Sequence, residues 1–135
     1  MKIPFHKPIL PDNLSMIFPD SVKDGWLTTG PQVKKFESSL CDYLSVENVI
    51  ALNSCTAALH LGLAAKGFGK GDKFIAPTYT FVATAEVGEY LSMTPVLIDC
   101  AKNSFNIDLN YVEQQLKKDK DIKAIIPVHF AGEPV

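Results

Sequence analysis

Asn53-Ser54-Cys55-Thr56-Ala57-Ala58-Leu59-His60 follows the apolar run Val49-Ile50-Ala51-Leu52 and opens a helix-like stretch, Ala57 to Lys66. A strand-to-helix turn built from small hydroxyl and thiol residues leaves several backbone N–H groups free and pointing one way. The helix dipole puts partial positive charge at the same place, so the turn suits a phosphate group. On spacing alone, Ser54-Cys55-Thr56 is either such an anion site or a plain helix cap. Either way the octet marks a strand followed by a helix, and the rest of the chain repeats that alternation.

Working outward, strand-like runs fall at 48–52, 73–76, 95–98 and 122–128, with helix-like runs between them at about 56–67, 80–91 and 108–118. Asp108 is suited to cap the last helix, whose apolar stripe is Leu109, Val112 and Leu116. The strands are continuously apolar, as expected of a sheet covered on both faces. The pattern predicts an α/β layered fold with a largely parallel sheet. Upstream, Val33, Phe36, Leu40 and Leu44 share one face of a predicted amphipathic helix. Residues 1–31 carry five prolines and predict an irregular arm with a short helix near 13–23 and a 25–31 loop. Residues 32–135 form the domain proper.

Composition removes several function classes. All thirteen cationic residues are lysine, and the net charge is −2. Without arginine there is no bidentate fork for phosphate or guanine, and there is no basic stripe, which argues against nucleic-acid binding. Cys41, Cys55 and Cys100 are odd in number and widely spaced, so they read as reduced thiols, not as a disulfide frame or a metal site. No run approaches the roughly 20 apolar residues of a membrane span, and the amino terminus has no apolar signal core. A cytoplasmic protein that binds no membrane is expected. Gly67-Phe68-Gly69-Lys70-Gly71-Asp72 resembles a nucleotide loop but fits neither glycine-rich fingerprint and follows a helix, so it reads as a helix-to-strand turn.

Parallel strands would bring their carboxyl ends to one edge, where open α/β sheets bind ligands. Ser54 to Thr56, Thr78 to Phe81, Asp99 and His129 fall there. Phe81 is a core residue or a flat platform for a heteroaromatic ligand; Asp99 is a turn cap or a ligand contact; His129 is a structural histidine or a contact. His60, between Leu59 and Leu61, reads as structural, and Cys55 as a small packing residue.

Taken in order, several stretches resemble the amino-terminal part of the DegT/DnrJ/EryC1/StrS family of pyridoxal-phosphate (PLP)-dependent sugar aminotransferases. They are Gly25-Trp26-Leu27-Thr28-Thr29-Gly30-Pro31, Phe36-Glu37, Asn53 to Leu61, Gly71 to Pro77, Tyr79 to Thr84, Pro95 to Asp99, Phe105 to Asp108 and Ile125 to Pro134. The resemblance implies part of the large domain of the aspartate-aminotransferase-like (fold type I PLP) three-layer fold, with an incomplete sheet. It implies pyridoxal 5′-phosphate as cofactor, its phosphate on the amides of Cys55 and Thr56 and the Thr56 hydroxyl, and its ring on Phe81. Many relatives have glycine where Cys55 stands. It further implies a nucleotide-sugar substrate bearing a keto group, an amino donor such as glutamate, and a homodimer, with the 25–31 loop a candidate contact.

The family's cofactor-bearing lysine, and the acid that pairs with the pyridine nitrogen, lie beyond the segment matching Ile125 to Pro134. Lys66, Lys70, Lys73 and Lys123 do not match that lysine, so no catalytic residue is assigned to this chain. Family dehydratases carry a histidine in its place, so the same gap leaves aminotransferase and dehydratase undistinguished. In this fold the strand expected at 48–52 is separated from the other three by strands encoded later, so it should lack neighbours. The chain is therefore expected to be inactive and poorly stable unless a downstream polypeptide completes it. The rival readings are a non-catalytic remnant or a small phosphate-binding α/β module.

Overall fold

In the computed structural model, residues 29–135 are described. The short helix expected near 13–23, and all but the last residues of the 25–31 loop, lie outside them. The chain forms two compact units, Met1–Ala51 and Leu52–Val135.

The described part of the first unit is dominated by helix α1, Pro31–Leu44. Proline at the first helical position costs nothing there, because its missing N–H would have no intrahelical partner. The helix ends where Ser45 turns left-handed (φ 55°) and the Val46 amide donates back to the Cys41 carbonyl at 3.1 Å. A Glu37 carboxylate oxygen accepts from the Ala51 amide at 2.8 Å, tying the following extended segment to the helix. The predicted apolar stripe is present but not buried: Phe36 and Leu44 are each more than half exposed.

The second unit contains α2 (Cys55–Ala65), β1 (Lys73–Pro77), α3 (Ala83–Glu89), β2 (Thr94–Ile98), α4 (Leu109–Lys118), β3 (Ile122–Ile125) and a 3-10 turn at Phe130–Gly132. The three strands make a parallel sheet in the order β2-β1-β3. One expected strand is absent. Residues 48–52 lie between α1 and α2 in neither helix nor strand, and Ile50 is 77% exposed. An extended segment becomes a strand only by pairing, and no neighbour pairs with it among the described residues. β3 is also shorter than expected, although the Ile126 amide still reaches the Ile75 carbonyl at 2.9 Å. The helix expected from residue 80 starts at Ala83, which leaves Thr78 to Val82 as a loop at the end of β1.

β1 explains the layering. Its side chains alternate across the sheet with period two. Phe74 and Ala76 pack with Leu63, Val87, Met93 and Ile126 beneath α2 and α3, while Ile75 packs with Ile98, Ile107, Val112 and Ile122 beneath α4. Helix above, sheet, helix below: the three-layer arrangement follows from this one strand. The outer strands differ from expectation, since Leu97 and Ile125 remain 55% and 42% exposed. Only the central strand is covered on both faces.

Local chemistry sets the element ends as the sequence suggested. The Asp108 carboxylate accepts from the amides of Asn110 and Tyr111 and caps α4. The Gly67 to Asp72 segment is a helix-to-strand turn. Gly67 is left-handed (φ 74°), its amide donates to the Ala64 carbonyl, and the Phe68 amide reaches back to Leu63, as in a helix C-cap. The Asp72 carboxylate then accepts from the Gly69 amide at 3.0 Å. The thiols of Cys41, Cys55 and Cys100 are free.

A Lys73–Asp119 ion pair at 2.7 Å fastens the start of β1 to the turn before β3, with Asp121 at 3.9 Å. The hydrogen bond from Lys73 holds the Asp119 carboxyl below its ordinary pKa, and the same bond raises that of the lysine. A depressed carboxyl pKa contributes stability that is present above its unfolded value and fades as pH falls through the folded one. The raised lysine contributes below its unfolded value and fades at alkaline pH. Both groups are partly exposed to solvent, so the effect is small. Asp119→Asn is expected to flatten the acid limb of the melting-temperature profile, which the lowered carboxyl of Asp119 steepens in the wild type. Wild-type and variant limbs of equal slope would refute this.

Candidate cofactor site

Ser54 has the extended backbone of an N-cap, and its hydroxyl oxygen accepts from the Ala57 amide at 3.1 Å. Its carbonyl accepts the first helical bond, from the Ala58 amide. The helix-cap reading of this turn is therefore correct for Ser54. It leaves Cys55 and Thr56, whose amides find no acceptor among the described residues. That leaves two free donors at the positive end of an eleven-residue helix, an arrangement suited to an anion. The Cys55 thiol is exposed and Thr56 half-buried, so the corner is open to solvent.

Phe81 lies in the loop that leaves β1. It is 76% exposed and belongs to neither apolar cluster of the described residues. With Thr78, Tyr79, Thr80, Val128 and Phe130 it lines a hollow of about 380 Å³ at the carboxyl ends of β1 and β3. Thr80 donates its hydroxyl to Thr84 at 2.8 Å, pinning the loop to the first turn of α3. Two of the lining rings, Tyr79 and Phe130, form a trio with Phe105, with centroids 4.8 to 5.3 Å apart.

The parallel register thus brings three of the four expected edge segments together. The Thr78 hydroxyl donates to the Asp99 carboxylate at 3.1 Å, joining the ends of β1 and β2. Asp99 also accepts from the Cys100 amide at 2.8 Å, a local bond of the kind a turn cap makes. His129 lies beside the hollow in sequence but does not line it; its Nδ1 accepts from the Val135 amide at 3.0 Å. His60 stacks edge-on against Tyr90. Cys55 and Thr56 are not among the lining residues of the hollow. Their turn enters α2 from a segment that is not part of the sheet. Phe130 and Asn106 are contributors that the sequence reading did not single out. Phe130 could have been suspected from its place just beyond β3, whereas no pattern distinguishes Asn106.

Among the described residues no lysine lines the hollow, and no group of histidine, cysteine or acidic side chains could hold a metal ion. No helix there is long and apolar enough to cross a membrane.

The DegT/DnrJ/EryC1/StrS aminotransferase family profile matches residues 13–135. The chain belongs to this family. Family relatives include the spore coat polysaccharide biosynthesis protein SpsC of Bacillus subtilis, 36% identical over 131 residues, covering 97% of this chain and 33% of SpsC. The uncharacterized protein MJ1066 of Methanocaldococcus jannaschii is 41% identical over 115 residues, 85% of this chain and 29% of that protein. Among solved structures, the PLP form of Spr1654 from Streptococcus pneumoniae, described as a sugar aminotransferase, superposes with a TM-score of 0.91 at 35% identity. It covers 100% of this chain and 34% of its own. The chain therefore spans about a third of the length of these relatives. Its fold is that part of the fold type I PLP aminotransferase fold, an α/β architecture with an open parallel sheet of three strands.

Proposed function

We propose that this chain supplies the phosphate corner and ring platform of a pyridoxal-phosphate-dependent sugar aminotransferase. The observation that carries the reading is the pair of unaccepted amides on Cys55 and Thr56 at the head of α2. The cofactor named in the relatives' structures has two chemical ends, and the residues present fit both. The dianionic phosphate would take the two amides and the Thr56 hydroxyl, each a charge-assisted hydrogen bond. The flat pyridine ring would lie on Phe81, whose face is already exposed. When bound, the cofactor supplies an electron sink for moving an amino group between carbon skeletons.

The work of the described residues is binding and orientation. Ser54 is spent on Ala57 and so holds the corner's shape without competing for the anion. Phe81 restricts the ring to one plane, and Thr80, tied to Thr84, keeps the Phe81 loop in place. The lysine that carries the cofactor and moves protons would come from a complementing downstream polypeptide, and the complete enzyme would be a homodimer. The amino donor would be glutamate and the acceptor a nucleotide-linked keto sugar. The absence of arginine suits a sugar better than an amino-acid carboxylate.

The test is equilibrium dialysis of the purified chain against pyridoxal phosphate. Binding is expected to be reversible and to weaken by roughly ten- to a hundredfold in Thr56→Ala, the effect of one lost charge-assisted hydrogen bond of about 1.5–3 kcal/mol. Borohydride treatment followed by mass spectrometry should leave no stoichiometric adduct on Lys66, Lys70, Lys73 or Lys123. A stoichiometric adduct on one of them would disprove the assignment of the lysine elsewhere. Unchanged affinity in Thr56→Ala would disprove the corner.

A further inference from the structure

Asn106 is one of two buried polar residues among those described, at 8% exposure, and its carboxamide is fully engaged. Its Oδ1 accepts from the Phe130 amide at 3.3 Å. Its Nδ2 donates to the carbonyls of Glu133 at 3.2 Å and Pro134 at 3.3 Å. One side chain therefore grips both ends of the 130–134 turn. That turn needs holding, because Ala131 has φ 52°, a left-handed conformation unfavourable for a residue with a Cβ. Asn106 is itself fixed: its amide donates to the Ser104 hydroxyl, its carbonyl accepts from Ala101, and Ile107 beside it bridges to Cys100. Its other neighbour, Phe105, packs its ring on Phe130 at 4.8 Å.

We propose that Asn106 is a positioning residue. By holding the 130–134 turn against the 100–107 hairpin, it sets the Phe130 ring and so fixes the wall of the hollow that Phe130 shares with Phe81. It touches no ligand. Its effect is on the part of a ligand that enters the hollow, the aromatic ring, and not on the part held at the head of α2, the phosphate. This rests on the proposed function, since it takes pyridoxal phosphate as the occupant.

Two probes separate these parts. Inorganic phosphate can use only the amides of Cys55 and Thr56 and the Thr56 hydroxyl, whereas pyridoxal phosphate uses this corner and the hollow together. Both are measured by equilibrium dialysis on the 135-residue chain, on Asn106→Ala, on Asn106→Asp, and on Phe130→Ala, which removes the wall directly. Wild type is expected to bind pyridoxal phosphate more tightly than phosphate. Asn106→Ala should lose about tenfold of that advantage, as expected of a misplaced contact, while its phosphate affinity stays unchanged. Asn106→Asp keeps the acceptor for the Phe130 amide but turns a carboxylate oxygen toward the carbonyls of Glu133 and Pro134, so its loss should be at least as large. Phe130→Ala should reproduce the loss if Asn106→Ala proves too unstable to measure.

Equal losses for both probes would mean that Asn106 serves only general stability, and would overturn the proposal. So would an unchanged preference for pyridoxal phosphate in Asn106→Ala or, where that variant does not fold, in Phe130→Ala. Wild type binding the two probes equally would instead count against the cofactor reading itself, and the inference would fall with it. That failure shows in the parent chain before any variant is made.

Discussion

Gly88→Ala is expected to lower the urea midpoint of the second unit sharply, with a loss of about 3 kcal/mol, the upper part of the range for overpacked cores. A Cβ at position 88 would sit 2.1 Å from Phe74 Cε1, 2.5 Å from Cζ and 2.7 Å from Cδ1. Phe74 is fully buried among Leu63, Val87, Met93 and Ile126, so the ring has nowhere to swing. Alanine ordinarily gains about 1 kcal/mol over glycine inside a helix. Here the clash outweighs that gain, because α3 rests directly on the ring. Against a domain stability of about 5–15 kcal/mol, such a loss is a large fraction. Chemical denaturation followed by circular dichroism measures it, and Phe74→Leu supplies the control. Removing the ring edge should make the double variant more stable than the sum of the two single effects predicts. Strict additivity would mean that the clash is not the cause.

Phe81→Ala should behave in the opposite way. The ring is mostly solvent-exposed, so its loss should leave the urea midpoint nearly unchanged while pyridoxal phosphate binding weakens by about tenfold or more. Stacked aromatic pairs contribute about 0.5–1.5 kcal/mol beyond the area they bury, and the buried area adds to that. Phe81→Tyr should retain the affinity, because the face of the ring is what matters. Inorganic phosphate binding should not respond to either change. A fall in stability with unaltered affinity would assign Phe81 to packing after all. The pairing of these two predictions is informative: one aromatic ring sits on the central strand and one in the loop that leaves it, and their substitutions should separate folding from binding.

The fold was legible where local chemistry and periodicity agree. Asp108 and Ser54 cap their helices as their residue types suggest, the 67–72 turn carries glycine where a left-handed residue is required, and β1 shows its two-sided burial as an unbroken apolar run. The run at 48–52 forms no strand, in keeping with the expectation that it lacks neighbours: an apolar segment records that a chain is suited to a sheet, not that a partner is there to pair with it. Leu97 and Ile125 are exposed for a related reason: their strands lie at the two edges of the sheet. At the candidate site, the free amides of Cys55 and Thr56 could be foreseen from a helix beginning after a small, polar turn. Residue type and position alone left Phe81 open, because an aromatic residue after a strand is compatible with core and surface alike; only the family resemblance pointed to a ring platform. Asn106 was hidden because its three backbone partners are Phe130, Glu133 and Pro134, far along the chain and without a recurring pattern.

The middle place of β1 also has a temporal side. It is the first strand of the sheet to leave the ribosome, yet its second ladder cannot close until Ile122–Ile125 has followed, after β2 and α4. For that interval one edge of the most deeply buried strand has no neighbour, and the long-range pairing of the last strand is the step expected to be slow. Nascent chains paused within α4 should therefore be the ones most readily captured by chaperones.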